Sequence, residues 1–336
     1  MKHAVVRFGI LSCGAIAKFH ARAIADIENA KLVGVTDVYL PAAEAFAEEF
    51  GGVRIYKDYA EMLADPAIDA VCICTPSGLH AQNAIDALRA GKHAVLEKPM
   101  AFTKEECEKI EQIAKENDRL LAVISQLRYA EDIGRVKQLV EEGAFGTISL
   151  CNLSMKYWRK PEYYAESKWR GTKKMDGGGA LMNQGIHGID LMLYIMGDAE
   201  LLCAKTNTAF HNIEVEDTAV AMLKFENGAY GTLDASTCAF PGHARRLEII
   251  GSEGCAILHE NHLERLVVRG ETIVSEGAKV SASTASDPMS MQHKLHAMQL
   301  TNFVRAVHGE EMLLMDASQG KRAVSLIEQI YRFSES

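Results

Sequence analysis

The first third of the chain alternates short, almost wholly apolar runs with amphipathic helical patterns, and few architectures accept that order. Ala4 to Leu11 reads as a strand, and Ala15 to Asp26 as a helix with Ile16, Phe19, Ala23 and Ile24 on one side. Leu32 to Thr36 is a second strand, followed by a helix over Pro41 to Phe50, where Pro41 suits a first helical turn. A short strand near Arg54, Ile55 and Tyr56 precedes a helix over Ala60 to Ala64. The alternation continues with strand Ala70 to Cys74, helix His80 to Ala90, strand Ala94 to Glu97, helix Thr103 to Asn117 and strand Leu120 to Ile124. Thr103 and Glu106 have the spacing of a capping box. Strands that lack polar alternation must be covered on both faces, which calls for a parallel sheet with helices on each side. The expected fold class is α/β, a doubly wound parallel sheet, over residues 1–124.

Beyond residue 125 the texture changes. One helix near Ile133 to Glu142 leads into longer, alternating strands such as Ile148 to Lys156 and Ala219 to Phe225. Glu226-Asn227-Gly228 joins the latter to Ala229 to Ser236, a strong hairpin signal. Leu247 to Ile250, Gly254 to His259 and Leu266 to Val268 add strands, and Ser275 to Ser290 reads as a surface loop. Helices over Met291 to His308 and Ser318 to Phe333 close the chain. Residues 125–336 are expected to form a C-terminal α+β domain with a large, mostly antiparallel open sheet. Two domains suit a chain of 336 residues.

Composition removes several classes of function. With 36 Lys and Arg against 45 Asp and Glu, the net charge is −9, and no basic face for neutralising phosphates is evident, so no nucleic-acid partner is expected. No run of 18 apolar residues exists, so no membrane partner is expected. Phe8 to Ser12 before Cys13 faintly resembles a lipoprotein signal, but its apolar run is too short. The eight cysteines include no Cys-x-x-Cys pair and are too sparse for a disulfide framework; Cys72 and Cys74, on one face of a strand-like run, read as small buried hydrophobes and not as metal ligands, and the chain reads as cytoplasmic and reduced. His259, His262, His293 and His296 have loose metal spacing without a third ligand, and no metal is expected.

Chemistry gathers at the carboxyl ends of the early strands, outside which open α/β sheets bind ligands. The first strand runs into Ser12-Cys13-Gly14-Ala15-Ile16-Ala17, which matches the dinucleotide fingerprint with Ser12 in place of the first glycine. Gly14 lets the backbone approach a pyrophosphate at a helix N-terminus, and Ala17 permits close helix–strand packing. Asp37 ends the second strand, where a carboxylate accepts hydrogen bonds from ribose hydroxyls and repels a 2′-phosphate. Val38 and Tyr39 add no cation for such a phosphate, so NAD is expected over NADP. Thr75, Pro76 and His80 follow the fourth strand, and Glu97-Lys98-Pro99 the fifth, which makes Lys98 a site lysine.

Together these segments, with Gly177-Gly178-Gly179-Ala180-Leu181-Met182-Asn183-Gln184-Gly185-Ile186-His187-Gly188-Ile189-Asp190 and a C-terminal Asp316 to Arg322 stretch, resemble the GFO/IDH/MocA (glucose–fructose oxidoreductase, inositol 2-dehydrogenase, rhizopine catabolism) family over essentially the whole chain. The resemblance implies a Rossmann-type domain and a sheet-based substrate and oligomerisation domain. It implies NAD(P)-linked hydride transfer to or from a ring secondary hydroxyl of a sugar, sugar derivative or inositol. Cofactor contacts would come from Ser12, Gly14, Ala15, Ile16, Asp37, Thr75, Pro76, His80, Glu97 and Lys98. The family's site lysine corresponds to Lys98 and its site histidine to His187. The family often carries Asp four residues before that histidine; here it is Asn183, an amide that orients a hydroxyl and takes no proton. Dimers or tetramers through the open sheet are also implied.

Independently of the family, Asn183 and His187 are spaced i, i+4 and face the same way if the segment is helical. The three glycines before them suit close backbone approach. A lone histidine beside Leu191, Met192 and Ile195 is more often a core residue; its alignment with Asn183 favours a functional one. Gln126 and Arg128 are candidates for the nicotinamide end or the substrate, with a structural salt bridge as the competing reading. Tyr157-Trp158-Arg159, Tyr163, Tyr164, Trp169 and Arg170 concentrate rings and donors, and Tyr163, Trp169 and Arg170 are expected at the substrate, against packing over a domain junction. In the expected mechanism His187 accepts the hydroxyl proton, Lys98 fixes the oxygen, and Asn183 holds a neighbouring hydroxyl. Two rivals share the fold: a glycosidase-like enzyme that oxidises transiently and eliminates, and a non-catalytic sensor of dinucleotides or sugars.

Overall fold

The computed structural model describes residues 4–274 and 293–335, and the chain divides into two units. The first comprises residues 1–126 and 292–321, the second residues 127–291 and 322–336. A single cut after residue 124 is therefore corrected, because a C-terminal segment returns to the first unit. The reason is apolar burial. The helix Lys294–Val307 places Leu300, Phe303 and Val304 in the same core as Phe8, Ile10 and Val35 of the sheet, and the Phe303 and Phe8 rings lie 5.9 Å apart. Gln299 adds polar ties, accepting from Ser125 N–H and donating to the Val123 carbonyl.

The sheet of the first unit contains β1 (Val6–Leu11), β2 (Ala30–Thr36), β3 (Arg54–Ile55), β4 (Ala70–Ile73), β5 (His93–Leu96) and β6 (Leu121–Val123). All neighbours are parallel, in the order β3-β2-β1-β4-β5-β6. Helices α1 (Ala15–Ala25), α2 (Leu40–Glu49), α3 (Tyr59–Ala64), α4 (His80–Arg89) and α5 (Lys104–Glu116) connect them. The capping box of Thr103 and Glu106 starts α5 as expected. The strand order reverses between β1 and β4, which stay parallel, and the crevice at their carboxyl ends is where such sheets take ligands.

The second unit holds α6 (Glu131–Glu141), β7 (Ile148–Lys156), α7 (Pro161–Ala165), α8 (Ile186–Met196) and the strands β8 (Ala199–Asn207), β9 (Thr218–Phe225), β10 (Tyr230–Ser236), β11 (Arg246–Gly251), β12 (Cys255–His259), β13 (His262–Val268) and β14 (Glu271–Val274). They form one eight-stranded sheet, β14-β13-β12-β11-β7-β10-β9-β8, in which β10 and β7 are parallel and the other pairs antiparallel. The Asn227-Gly228 hairpin joins β9 to β10 as expected, with Gly228 at φ 88°. Strand β8 was not legible because its pattern is mostly exposed, as an edge strand's is. The expected loop Ser275 to Ser290 lies outside the described residues. Cys151, Leu153 and Met155 of β7 point to the covered face, and a Cβ on Gly188 of α8 would lie 2.5 Å from Met155 Sδ, so α8 sits directly on that face. The opposite face carries Leu150, Tyr230, Met222 and Val220, all exposed. Among the described residues no helix is long and apolar enough to cross a membrane.

Candidate active site

At the end of β1, Ser12 adopts φ 74°. That left-handed conformation costs a non-glycine residue about 1–2 kcal/mol. The turn that a first glycine would make is thus kept with a serine in it. What holds it is Asp37, just past β2: its Oδ2 accepts from Cys13 N–H at 2.7 Å and from Ser12 Oγ at 3.3 Å, and its Oδ1 accepts from Tyr39 N–H at 2.8 Å. Gly14 then starts α1 without any side-chain cap, and no atom lies within 4 Å of where its Cβ would stand. The first amides of α1 therefore face an open cradle with the helix dipole behind them, suited to a phosphate. Ala15 and the half-buried Ile16 follow in that turn, and Val38 is fully exposed next to Asp37. Sugar hydroxyls and a flat apolar base would both find partners here.

The neighbouring loops are braced from within. His80 is 1% exposed, and its two ring nitrogens face the carbonyls of Pro99 (2.6 Å) and Thr75 (2.9 Å), tying the loop after β4 to the loop after β5. Burial, the largest influence on it, holds its pKa below the ordinary histidine value. His80 thus positions Thr75 and Pro99 and is not itself at the surface of the crevice. Glu97 is likewise turned inward, 2.8 Å from the buried His20. Burial pushes its carboxyl up, but the hydrogen bond and charge of His20, with the charges of His296 and Lys98, outweigh that and hold it at about 2. Its other oxygen accepts from the Lys98 amide at 3.3 Å. Lys98 itself is half-buried, and Gln126 is 2% exposed at the end of the unit.

In the second unit the glycine run leads into a π-helical turn, Ala180–Gly185, that continues as α8. Here the regular i, i+4 geometry expected for Asn183 and His187 is corrected: Gln184 N–H bonds back to the Gly179 carbonyl, five residues earlier. Such turns concentrate at functional sites. Glu216 fastens the start, accepting from Gly179 N–H (2.9 Å), Leu181 N–H (2.8 Å) and the Tyr331 hydroxyl (2.9 Å). A Cβ on Gly179 would lie 1.9 Å from the Glu216 carbonyl oxygen, so the close backbone approach expected of the glycines is present. From residue 180 to residue 193 only Asn183, Gln184 and His187 escape full burial. The segment thus shows one polar stripe, and the rest is core.

The segment singled out for substrate contact converges on that stripe. Gln184 donates to the Tyr163 hydroxyl (2.9 Å) and to Asn183 Oδ1 (3.2 Å), and accepts from Arg159 Nε (3.0 Å). Arg170 lies over the Tyr163 ring at 4.3 Å and beside Trp169 at 5.5 Å. Its buried Nε has no hydrogen-bond partner, and among the described residues no carboxylate pairs with it. Tyr164 and Trp158 go instead to packing against His211, at 4.8 and 6.4 Å. Arg128 is corrected: it is 3% exposed, forms a bidentate pair with Asp190 (2.9 and 2.5 Å) and covers the Tyr194 ring, so it serves as a structural ion pair and is not offered to substrate. Sequence reasoning missed Gln184, Asp176 and Glu216; the first two lie within or beside the glycine motif, whereas Glu216 carried no signal.

Residues 6–125 match the family model described as an oxidoreductase family with an NAD-binding Rossmann fold, and residues 133–257 match the GFO/IDH/MocA C-terminal domain. The chain belongs to the GFO/IDH/MocA family. It is an NAD-dependent oxidoreductase. An uncharacterized oxidoreductase of Bacillus subtilis, YrbE, is 32% identical over 74% of this chain and 72% of its own length. A myo-inositol 2-dehydrogenase of Thermotoga maritima is 26% identical over 96% of this chain and 94% of its own. Among solved structures, the WlbA dehydrogenase of Bordetella pertussis in complex with NADH and UDP-GlcNAcA is 30% identical, with a TM-score of 0.87 over 99% of this chain and 97% of that one. The open α1 start, the held Asp37 and the exposed Val38 fit the dinucleotide that the family model names.

Proposed function

We propose that this oxidoreductase interconverts a ring secondary hydroxyl and a ketone on a sugar that bears an anionic group. Bound at the cradle of α1, NAD supplies the two-electron hydride acceptor. The observation that carries the reading is the polar stripe Asn183, Gln184 and His187, joined through Tyr163 to Arg170, a cation with no carboxylate partner among the described residues. A guanidinium stacked on a ring and missing an acid is suited to a carboxylate or phosphate. His187 is assigned the proton of the reacting hydroxyl, because an imidazole accepts protons near neutral pH and a lysine ammonium does not. Lys98 is assigned the stabilisation of the alkoxide as that proton leaves, and Asn183 a neighbouring hydroxyl. Thr75, Pro76 and Gln126 are assigned to the cofactor.

The exposed Leu150, Val220, Met222 and Tyr230 support a homodimer or homotetramer that covers this face of the sheet. The eight cysteines, none in a disulfide, support a reducing compartment such as the cytoplasm. The test is a panel of UDP-GlcNAcA, neutral glycosides, inositols and sugar phosphates, followed by NADH absorbance. Faster turnover of anionic members, lost in Arg170→Ala, is expected. His187→Ala and Lys98→Ala should each lower kcat by about 10²–10⁴-fold with NAD affinity unchanged. Equal rates on neutral members, or near-normal turnover in His187→Ala, would overturn the assignment.

A further inference from the structure

We propose that Asp176 is a positioning residue that fixes the Asn183 amide as a hydrogen-bond acceptor toward the substrate. The inference rests on the reading of Asn183 as substrate-facing. Asp176 immediately precedes the glycine run and is 0% exposed. Its Oδ2 accepts from Gly171 N–H at 2.7 Å, and its Oδ1 accepts from Asn183 Nδ2 at 2.5 Å. Gly171 N–H belongs to the chain that carries Trp169 and Arg170, so one carboxylate joins the substrate-contact segment to the polar stripe. An asparagine alone is ambiguous, because its two ends are nearly equal in shape and opposite in hydrogen-bonding sense. An ionised carboxylate only accepts, so it selects the NH₂ end of Asn183 and turns the carbonyl end away from itself. Gln184 Nε2 donates to that same carbonyl, which reinforces the choice. Donating to an anion also polarises the amide, so its oxygen becomes a stronger acceptor for a hydroxyl.

The π-helical turn gives this pair its setting. Asn183 N–H bonds to the Gly179 carbonyl four residues back, whereas Gln184 N–H takes the same carbonyl five back. The extra residue brings Asn183 and Gln184 out side by side, one against Asp176 and the other against Arg159 and Tyr163. Asp176→Asn keeps an oxygen that can accept from Gly171 N–H and removes the anion that selects the Asn183 NH₂ end, so it should alter substrate recognition and leave the dinucleotide site of the first unit untouched.

A double-mutant cycle separates this role from a merely structural one. Asp176→Asn, Asn183→Ala and the double variant are compared with the wild type in kcat and KM for UDP-GlcNAcA, levoglucosan and myo-inositol, and in NAD binding by calorimetry. Each single variant is expected to lose about 10–100-fold in kcat/KM, the effect of one charge-assisted hydrogen bond. The double variant should be no worse than Asn183→Ala alone, and NAD affinity should not change. If Asn183→Ala keeps full kcat/KM, the reading of Asn183 falls. If Asn183→Ala is impaired while Asp176→Asn is not, or the two losses multiply, that reading stands and the role of Asp176 is refuted. Two further arms probe the Asp176–Asn183 contact itself, the second without substrate. Asn183→Asp sets a second carboxyl against Asp176, and two carboxyls in contact cannot both ionise, so a new ionisation should enter the pH dependence of kcat. In the wild type, one Asn183 side-chain N–H should resonate strongly downfield and exchange slowly by NMR, and return to the ordinary amide position in Asp176→Asn. An ordinary wild-type resonance would overturn the proposal.

Discussion

Replacing His20 by alanine should damage the first unit more than its distance from the crevice suggests. His20 is fully buried, and its Nε2 lies 2.8 Å from Glu97 Oε1, itself 6% exposed. Removing the imidazole leaves a buried carboxylate without that partner, a change that typically costs about 3–5 kcal/mol. Acid linkage supplies a second figure. The Glu97 carboxyl is lowered from 4.5 to about 2, a depression equivalent to about 3 kcal/mol. Because the folded value is the lower one, that stability is present in full above pH 4.5 and is lost as pH falls from there to about 2. Urea unfolding followed by far-UV circular dichroism reads it; tryptophan fluorescence would not, since Trp158 and Trp169 both lie in the second unit. At pH 7 His20→Ala should lose about 3–5 kcal/mol. Glu97→Gln should lose less, because a neutral amide pairs with a neutral imidazole, and should flatten the decline of stability between pH 4.5 and 3. A loss below about 1 kcal/mol in His20→Ala, with an unchanged acid profile in Glu97→Gln, would refute the reasoning. The functional link is short: Glu97 also receives the Lys98 amide, so a disturbed Glu97 displaces the site lysine.

Three further outcomes are expected. Gly179→Ala sets a Cβ 1.9 Å from the Glu216 carbonyl oxygen, a backbone clash at the upper end of the about 1–3 kcal/mol overpacking range; an unchanged melting temperature would contradict the close approach. Arg128→Met alone should cost about 3–5 kcal/mol, and Arg128→Met with Asp190→Leu much less, because the pair then leaves together; equal losses in urea titrations would deny the buried ion pair. Asp37→Ser with Val38→Arg should shift cofactor preference from NAD toward NADP in calorimetry. It should also weaken both, since the carboxylate that holds Cys13 and Tyr39 amides is gone; an unchanged NAD-to-NADP ratio would place Asp37 away from the ribose.

The amino-acid sequence by itself determined the sheet of the first unit and the chemical character of both motifs. Apolar strands without alternation can be buried only in a parallel sheet, and a strand that runs into Ser12, Cys13 and Gly14 must turn there. Both are local facts, written in neighbouring residues. The same holds for the Asn227-Gly228 hairpin and for Thr103 at the start of α5. Only the tertiary structure decided the uses of residues whose partners are remote in the chain. Arg128 meets Asp190, Glu97 meets His20, and His80 meets Pro99, and each is thereby turned from the ligand toward the scaffold. The return of Lys294–Val307 to the first core and the clamp of Glu216 on Gly179 belong to the same class. Periodicity records which face of a segment is apolar, and it contains no term for the polar group that faces it from another segment. A buried charge must find such a group, and where it finds one is settled by packing.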